Sequence, residues 1–121
     1  MTLNEYQEMA MTTCLPESRN FAYMFLNLTG EVGEFASKVA KAIRKDKALI
    51  DFNHLVTERG DKAMTEEEVE DLMKEAGDCL WQLSGLCTVM GWSLEDVAQQ
   101  NLEKLASRKQ RNVVDGSGDN R

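Results

Sequence analysis

The chain is poor in residues that interrupt helices: Pro16 is its one proline among 121 residues, and runs of β-branched residues are missing. Ala, Leu, Met, Glu and Lys recur instead at gaps of three and four, which predicts an all-α fold. Cys14, Cys79 and Cys87 are odd in number and lack CxxC spacing, so they read as reduced core thiols of a cytosolic protein. His54 is the sole histidine and lies in a polar connecting segment, where a solvent-facing or packed role is expected over a ligand role. No apolar run approaches the ~18 residues of a membrane span and no charged and then apolar leader opens the chain, so a soluble, cytoplasmic protein with no membrane partner is expected. Positive charge is also in the minority. With 14 basic against 21 acidic residues and a net charge of -7, the chain is not built to coat a nucleic-acid polymer. A small polyphosphate held through divalent cations remains compatible with that balance.

The length suits one domain with one core. A first helix is predicted over about Leu3 to Cys14, with Tyr6, Met9, Ala10 and Thr13 on one face, ended by Pro16. A second, from Ser18 or Arg19 to about Lys45, carries Phe21, Phe25, Leu28, Val32, Phe35, Val39, Ala42 and Ile43 at three-four spacing, a stripe expected to face the core. Residues Asp46 to Met64 read as a movable connection with a turn of helix at Ala48 to Val56. Thr65 and Glu68 have capping-box spacing and open a third helix to about Met90, with Gly91 as its C-terminal cap. Ser93 starts a fourth helix to about Gln110. The domain is expected over 1–111, and 112–121 reads as a disordered polar tail.

Chemistry concentrates on two of these helices. Glu31 and Glu34 stand three residues apart, so their Cβ atoms lie roughly 5 to 6 Å apart on one helix face and repel weakly. Glu75 and Asp78 repeat that spacing on the third helix, beside the apolar residues Leu72, Ala76, Cys79, Leu80 and Leu83. Carboxylates at a core's edge are expensive unless a cation compensates them. Antiparallel packing of the two helices would gather all four around Mg²⁺ or Mn²⁺, which prefer oxygen ligands. A di-iron site would need Glu-x-x-His motifs that one histidine cannot supply. Gly30 and Gly33 remove side chains beside the acids, which would let another helix or a phosphate approach. Among aromatics able to stack on a base, Phe21, Tyr23, Phe25 and Trp81, most read as core, and Trp81 follows Leu80 in an apolar stretch.

The segments LTGEVGEFASKVAKAIRKD, KEAGDCLWQLSGLCTVMGWSLEDV and NLEKLASRK, in that order, resemble the MazG family of all-α nucleoside triphosphate pyrophosphohydrolases. The resemblance covers the second to fourth helices. It implies a helical bundle assembled as a homodimer, or as a homotetramer built as a dimer of dimers, that hydrolyses nucleoside triphosphates to monophosphate and pyrophosphate with Mg²⁺. Glu31, Glu34, Glu75 and Asp78 match its two acidic motifs, which implies metal-binding and catalytic roles. Asn101 and Lys104 match fourth-helix positions near the phosphates, and Arg108 lies one turn beyond. Gly30 stands where some members carry a further glutamate, so the general base is left open. A catalytically weak nucleotide-binding or regulatory bundle, and a structural dimer with solvated acids, are the competing readings.

Overall fold

The structure, a computed structural model, describes residues 1–120. Four helices carry the chain: α1 (Leu3–Met11), α2 (Phe21–Arg44), α3 (Glu66–Val89) and α4 (Leu94–Gln110). Side-chain caps set their starts. Thr2 and Glu5 form a capping box on α1 and Thr65 and Glu68 form one on α3, while Asn20 and Ser93 accept from the backbone amides of Tyr23 and Asp96. Each cap satisfies amides that have no partner inside the helix. Pro16–Ser18 form a single 3₁₀ turn, which is why α2 starts at Phe21 and later than Ser18 or Arg19. Gly91 adopts a left-handed φ of 75° and turns the chain between α3 and α4.

The connection between α2 and α3 corrects the predicted helical turn at Ala48 to Val56. Two short antiparallel hairpins occupy it: β1 (Leu49–Asp51) with β2 (His54–Val56), and β3 (Glu58–Arg59) with β4 (Lys62–Ala63). Phe52 and Asn53 both take positive φ, 46° and 67°, the geometry of a two-residue turn whose twist matches the strands it joins. His54 is exposed on β2.

Helices α2 and α3 form the main contact. Their pairing is antiparallel, because Met24 meets Gly85, Lys38 meets Glu75 and Lys47 meets Glu68. At Gly85 a Cβ would lie 2.3 Å from the Met24 sulfur, so this glycine is what lets the helices close. Met24, Ser84 and Cys87 are the largest side chains to be fully buried. Helix α1 lies on α3, where Trp81 Nε1 donates to Ala10 O at 3.1 Å and Thr13 Oγ1 at 3.0 Å. Gln7 ties α1 to the start of α4: Leu94 N donates to its Oε1 at 2.7 Å, and its Nε2 donates to Thr88 Oγ1 and Trp92 O, each at 3.0 Å.

Several residues assigned to the core do not lie in it. Phe21, Phe25 and Val32 are 53%, 50% and 56% exposed, the two rings stacked on each other at 5.5 Å, and Met24 is the buried residue of that stretch. Helix α2 therefore has two apolar faces, and the chain covers the one bearing Met24 and Ala42. On α1, Met9 is exposed and Met11 is buried. Cys87 is buried while Cys14 and Cys79 are half-buried, all three free. Beyond α4, Asp119 reaches back to Lys104 Nζ at 3.1 Å and Arg108 Nη2 at 2.9 Å. Arg121, the last residue of the tail expected to be disordered, lies outside the described residues. Among the described residues no helix is long and apolar enough to cross a membrane.

Candidate metal centre

Because α2 and α3 run antiparallel, the acids of one helix come level with those of the other. Glu31, Glu75 and Asp78 each present a carboxylate oxygen within 4.8 Å of the other two. This gathers three of the four acids singled out in the sequence. Glu34 is exposed and lies outside this trio, although its charge still acts on Glu31.

Burial pushes the Glu31 carboxyl above its ordinary value, and the charges of Asp78, Glu75 and Glu34 push it the same way. Asn27, one turn earlier on α2, opposes this by donating to Glu31 Oε1 at 3.3 Å. Three oxygen donors that converge at a core edge and repel one another fit a hard divalent cation. Such an ion would offset the repulsion by direct attraction between its charge and the carboxylates.

Three neighbours of the trio were not picked out from the sequence. Lys38 Nζ stands 2.7 Å from Glu75 Oε1, and this bond raises the lysine's pKa. Its signal was present, since Lys38 follows Glu31 and Glu34 on one helical stripe, but only the α3 pairing reveals its partner. Asn27 precedes Glu31 by four residues, a spacing that places the two together on a helix. Tyr6 reaches the site from α1: burial and the nearby Asp78 charge raise its pKa. Nothing in the local sequence around Tyr6 signals that contact.

The glycines beside the acids do not serve close packing against another described helix. A Cβ on Gly33 or Gly77 would meet nothing within 4 Å, and one on Gly30 would meet only the Asn27 side chain at 3.4 Å. Among the described residues no element fills the space that Gly33 and Gly77 leave. On α4, Asn101 is exposed, Lys104 is half-exposed and Arg108 is 5% exposed. The expected phosphate-facing cations are thus not free: both hold Asp119, and Arg108 Nη2 also donates to Gly118 O at 3.3 Å. Trp81 spends its N–H on α1 and acts as a tie between helices.

Comparison with known proteins agrees with this architecture. The model of the MazG nucleotide pyrophosphohydrolase domain matches residues 19–113, which hold both acidic helices and α4. A relative from Mycobacterium phage L5, named Gene 37 protein, is 41% identical over 100 residues, covering 83% of this chain and 75% of the relative. No solved structure matches the chain.

Proposed function

Since the chain belongs to the MazG nucleotide pyrophosphohydrolase domain family, we propose that it is a Mg²⁺-dependent hydrolase that converts nucleoside triphosphates to monophosphate and pyrophosphate. The observation that carries this reading is the trio of Glu31, Glu75 and Asp78, whose oxygens converge within 4.8 Å.

Glu31, Glu75 and Asp78 hold the metal, and Glu34 joins them or acts on water from the exposed side. When bound, Mg²⁺ supplies Lewis-acid polarisation of the phosphates and lowers the pKa of water. Mn²⁺ has the same ligand preference and substitutes for it. The chain's own residues do the rest. Asn27 fixes one Glu31 oxygen, and Lys38 fixes one Glu75 oxygen, so both carboxylates are oriented before substrate arrives. A carboxylate that is not fully engaged with the metal takes the proton from the attacking water. Asn101, Lys104 and Arg108 offer an amide and two cations to phosphate once Asp119 leaves them. Positioning and charge neutralisation carry most of the rate in such a reaction.

The working form is a homodimer or homotetramer. The stacked Phe21 and Phe25 together with Val32 form an exposed apolar face on α2, and a second copy of the chain covers it in this reading. The test of the function is incubation with a panel of common and modified nucleoside triphosphates plus Mg²⁺, followed by chromatography. Monophosphate with pyrophosphate is the expected outcome. Diphosphate with phosphate, or no turnover across the panel, overturns the assignment.

A further inference from the structure

Beyond α4 the chain folds back onto that helix. Asn112 adopts a left-handed φ of 59° just past the last turn, and Val113 N donates to Arg108 O at 3.0 Å, which ends the helix in a reversal. Gly116 N then donates to Val113 O at 3.1 Å, and Gly118 takes a second left-handed φ, of 78°. These bends carry Asp119 to Lys104 and Arg108, which stand four residues apart and so share one face of α4.

The carboxylate meets those cations as a phosphate would. A single oxygen, Asp119 Oδ1, accepts from Lys104 Nζ at 3.1 Å and from Arg108 Nη2 at 2.9 Å, and Gly118 O accepts from the same Arg108 nitrogen at 3.3 Å. The bonds from Lys104 and then Arg108 hold the Asp119 carboxyl below its ordinary value, so it is ionised at neutral pH. Arg108 is 5% exposed, yet among the described residues its Nε has no hydrogen-bond partner. A buried guanidinium with a donor left over is incompletely matched by one carboxylate oxygen and better matched by a phosphate group with its three acceptor oxygens. Lys104 is also a wall of an open cleft of about 360 Å³, with Val97, Gln100 and Asn101 as the others. The lysine thus stands between the tail and a space that an anion can enter.

We propose that residues 112–119 form an autoinhibitory strap, in which Asp119 occupies the α4 phosphate site and a polyphosphate must displace it to engage Lys104 and Arg108. The strap rests on the reading of Asn101, Lys104 and Arg108 as the phosphate-binding residues of a pyrophosphohydrolase. Displacement is within reach of such a ligand. The Asp119 side chain is 79% exposed, pairs with so solvated a partner are weakly stabilising, and a triphosphate brings more charge and more acceptors than one carboxylate. A strap that is docked for most of the time weakens apparent affinity in proportion to the fraction of chains it leaves open.

The test is titration calorimetry with inorganic pyrophosphate, in the presence of Mg²⁺ and at fixed ionic strength, on the wild type and on Asp119→Asn. Asp115→Asn, which removes an exposed acid of the same tail, controls for the loss of one negative charge. Asp119→Asn is expected to bind pyrophosphate about three- to tenfold more tightly than wild type, the gain from releasing a strap closed ~70–90% of the time. Asp115→Asn is expected to stay within twofold of wild type. Affinity within twofold of wild type in Asp119→Asn overturns the strap, as does an equal gain in Asp115→Asn or a failure of both wild type and Asp119→Asn to bind pyrophosphate. Product analysis on the wild type keeps the two claims apart. Turnover of a triphosphate with no effect of Asp119→Asn on pyrophosphate binding defeats the strap alone; tighter binding in Asp119→Asn without turnover on any triphosphate defeats the enzyme reading alone.

Discussion

The two ends of the α2–α3 pair solve opposite problems. At one end Met24 fits against Gly85 so closely that no Cβ fits between them, and Met24 is fully buried there. Toward the other end the same helices face each other with Glu31, Glu75 and Asp78, then with Lys38, Lys41 and Lys45 around a cleft. The closed end satisfies itself through burial. The open end keeps like charges together, an arrangement that stability alone does not favour. One helix pair thus clamps at one end so that the other can hold its charges in register.

Neutralising Asp78 tests the open end most severely. Asp78→Asn is expected to reduce triphosphate hydrolysis at least ~100-fold, since even partners outside the metal's own ligand set cost 10–100-fold. It should also abolish the Mg²⁺-dependent melting shift. Retained turnover and shift would place the metal elsewhere. Gly85→Ala attacks the closed end. Met24 must yield to the new Cβ, and overpacking of this kind costs about 1–3 kcal/mol, measurable as a lower urea midpoint. If the clamp only positions the acids through overall folding, Mg²⁺ affinity below the new melting point stays within a few-fold of wild type.

A smaller effect of opposite sign is expected from Glu31→Gln. Without divalent ions it relieves repulsion and should raise stability by about 0.5 kcal/mol, while with Mg²⁺ it should lower it relative to wild type. The sign change distinguishes a ligand from a merely tolerated surface acid. The smallest effect lies at the far edge of the lysine cleft. Lys47 and the Thr65 cap hold the Glu68 carboxyl down at about 2, from an ordinary 4.5. The unfolded chain therefore binds the proton first, so this contribution is fully present above 4.5 and is lost as pH falls toward about 2. Lys47→Met should flatten that part of the acid unfolding curve. Glu31 works in the other direction: its raised pKa means that metal-free stability falls as pH rises above the ordinary carboxylate range.

How much of this was legible follows from the range of each signal. The starts of α3 and α4 were readable because a cap is a contact between residues three apart, as with Thr65 and Glu68 or Ser93 and Asp96. The two hairpins were not. Their strands are two or three residues long, and the first turn places Phe52 and Asn53 at positive φ with no glycine to announce it. Periodicity told that α2 had an apolar stripe, but a stripe does not name what covers it, and Phe21 and Phe25 prove to face away from the rest of the chain. For the site, spacing within each helix revealed the acidic pairs. That Glu34 falls outside the trio, and that Tyr6 and Lys38 join its surroundings, depends on the rotation and register of packed helices. The engagement of Lys104 and Arg108 with Asp119 depends on chain reversal after α4, which no local pattern encodes.

The sealed position of Cys87 makes α3 its own chemical reporter. Burial raises this thiol's pKa, and its 2% exposure leaves no path for an alkylating reagent, so labelling requires the packing around it to open first. Cys14 and Cys79, half-buried elsewhere, modify without that event. The delay between the early thiols and the late one is therefore a clock for the opening of the structure around α3, built into the unaltered chain.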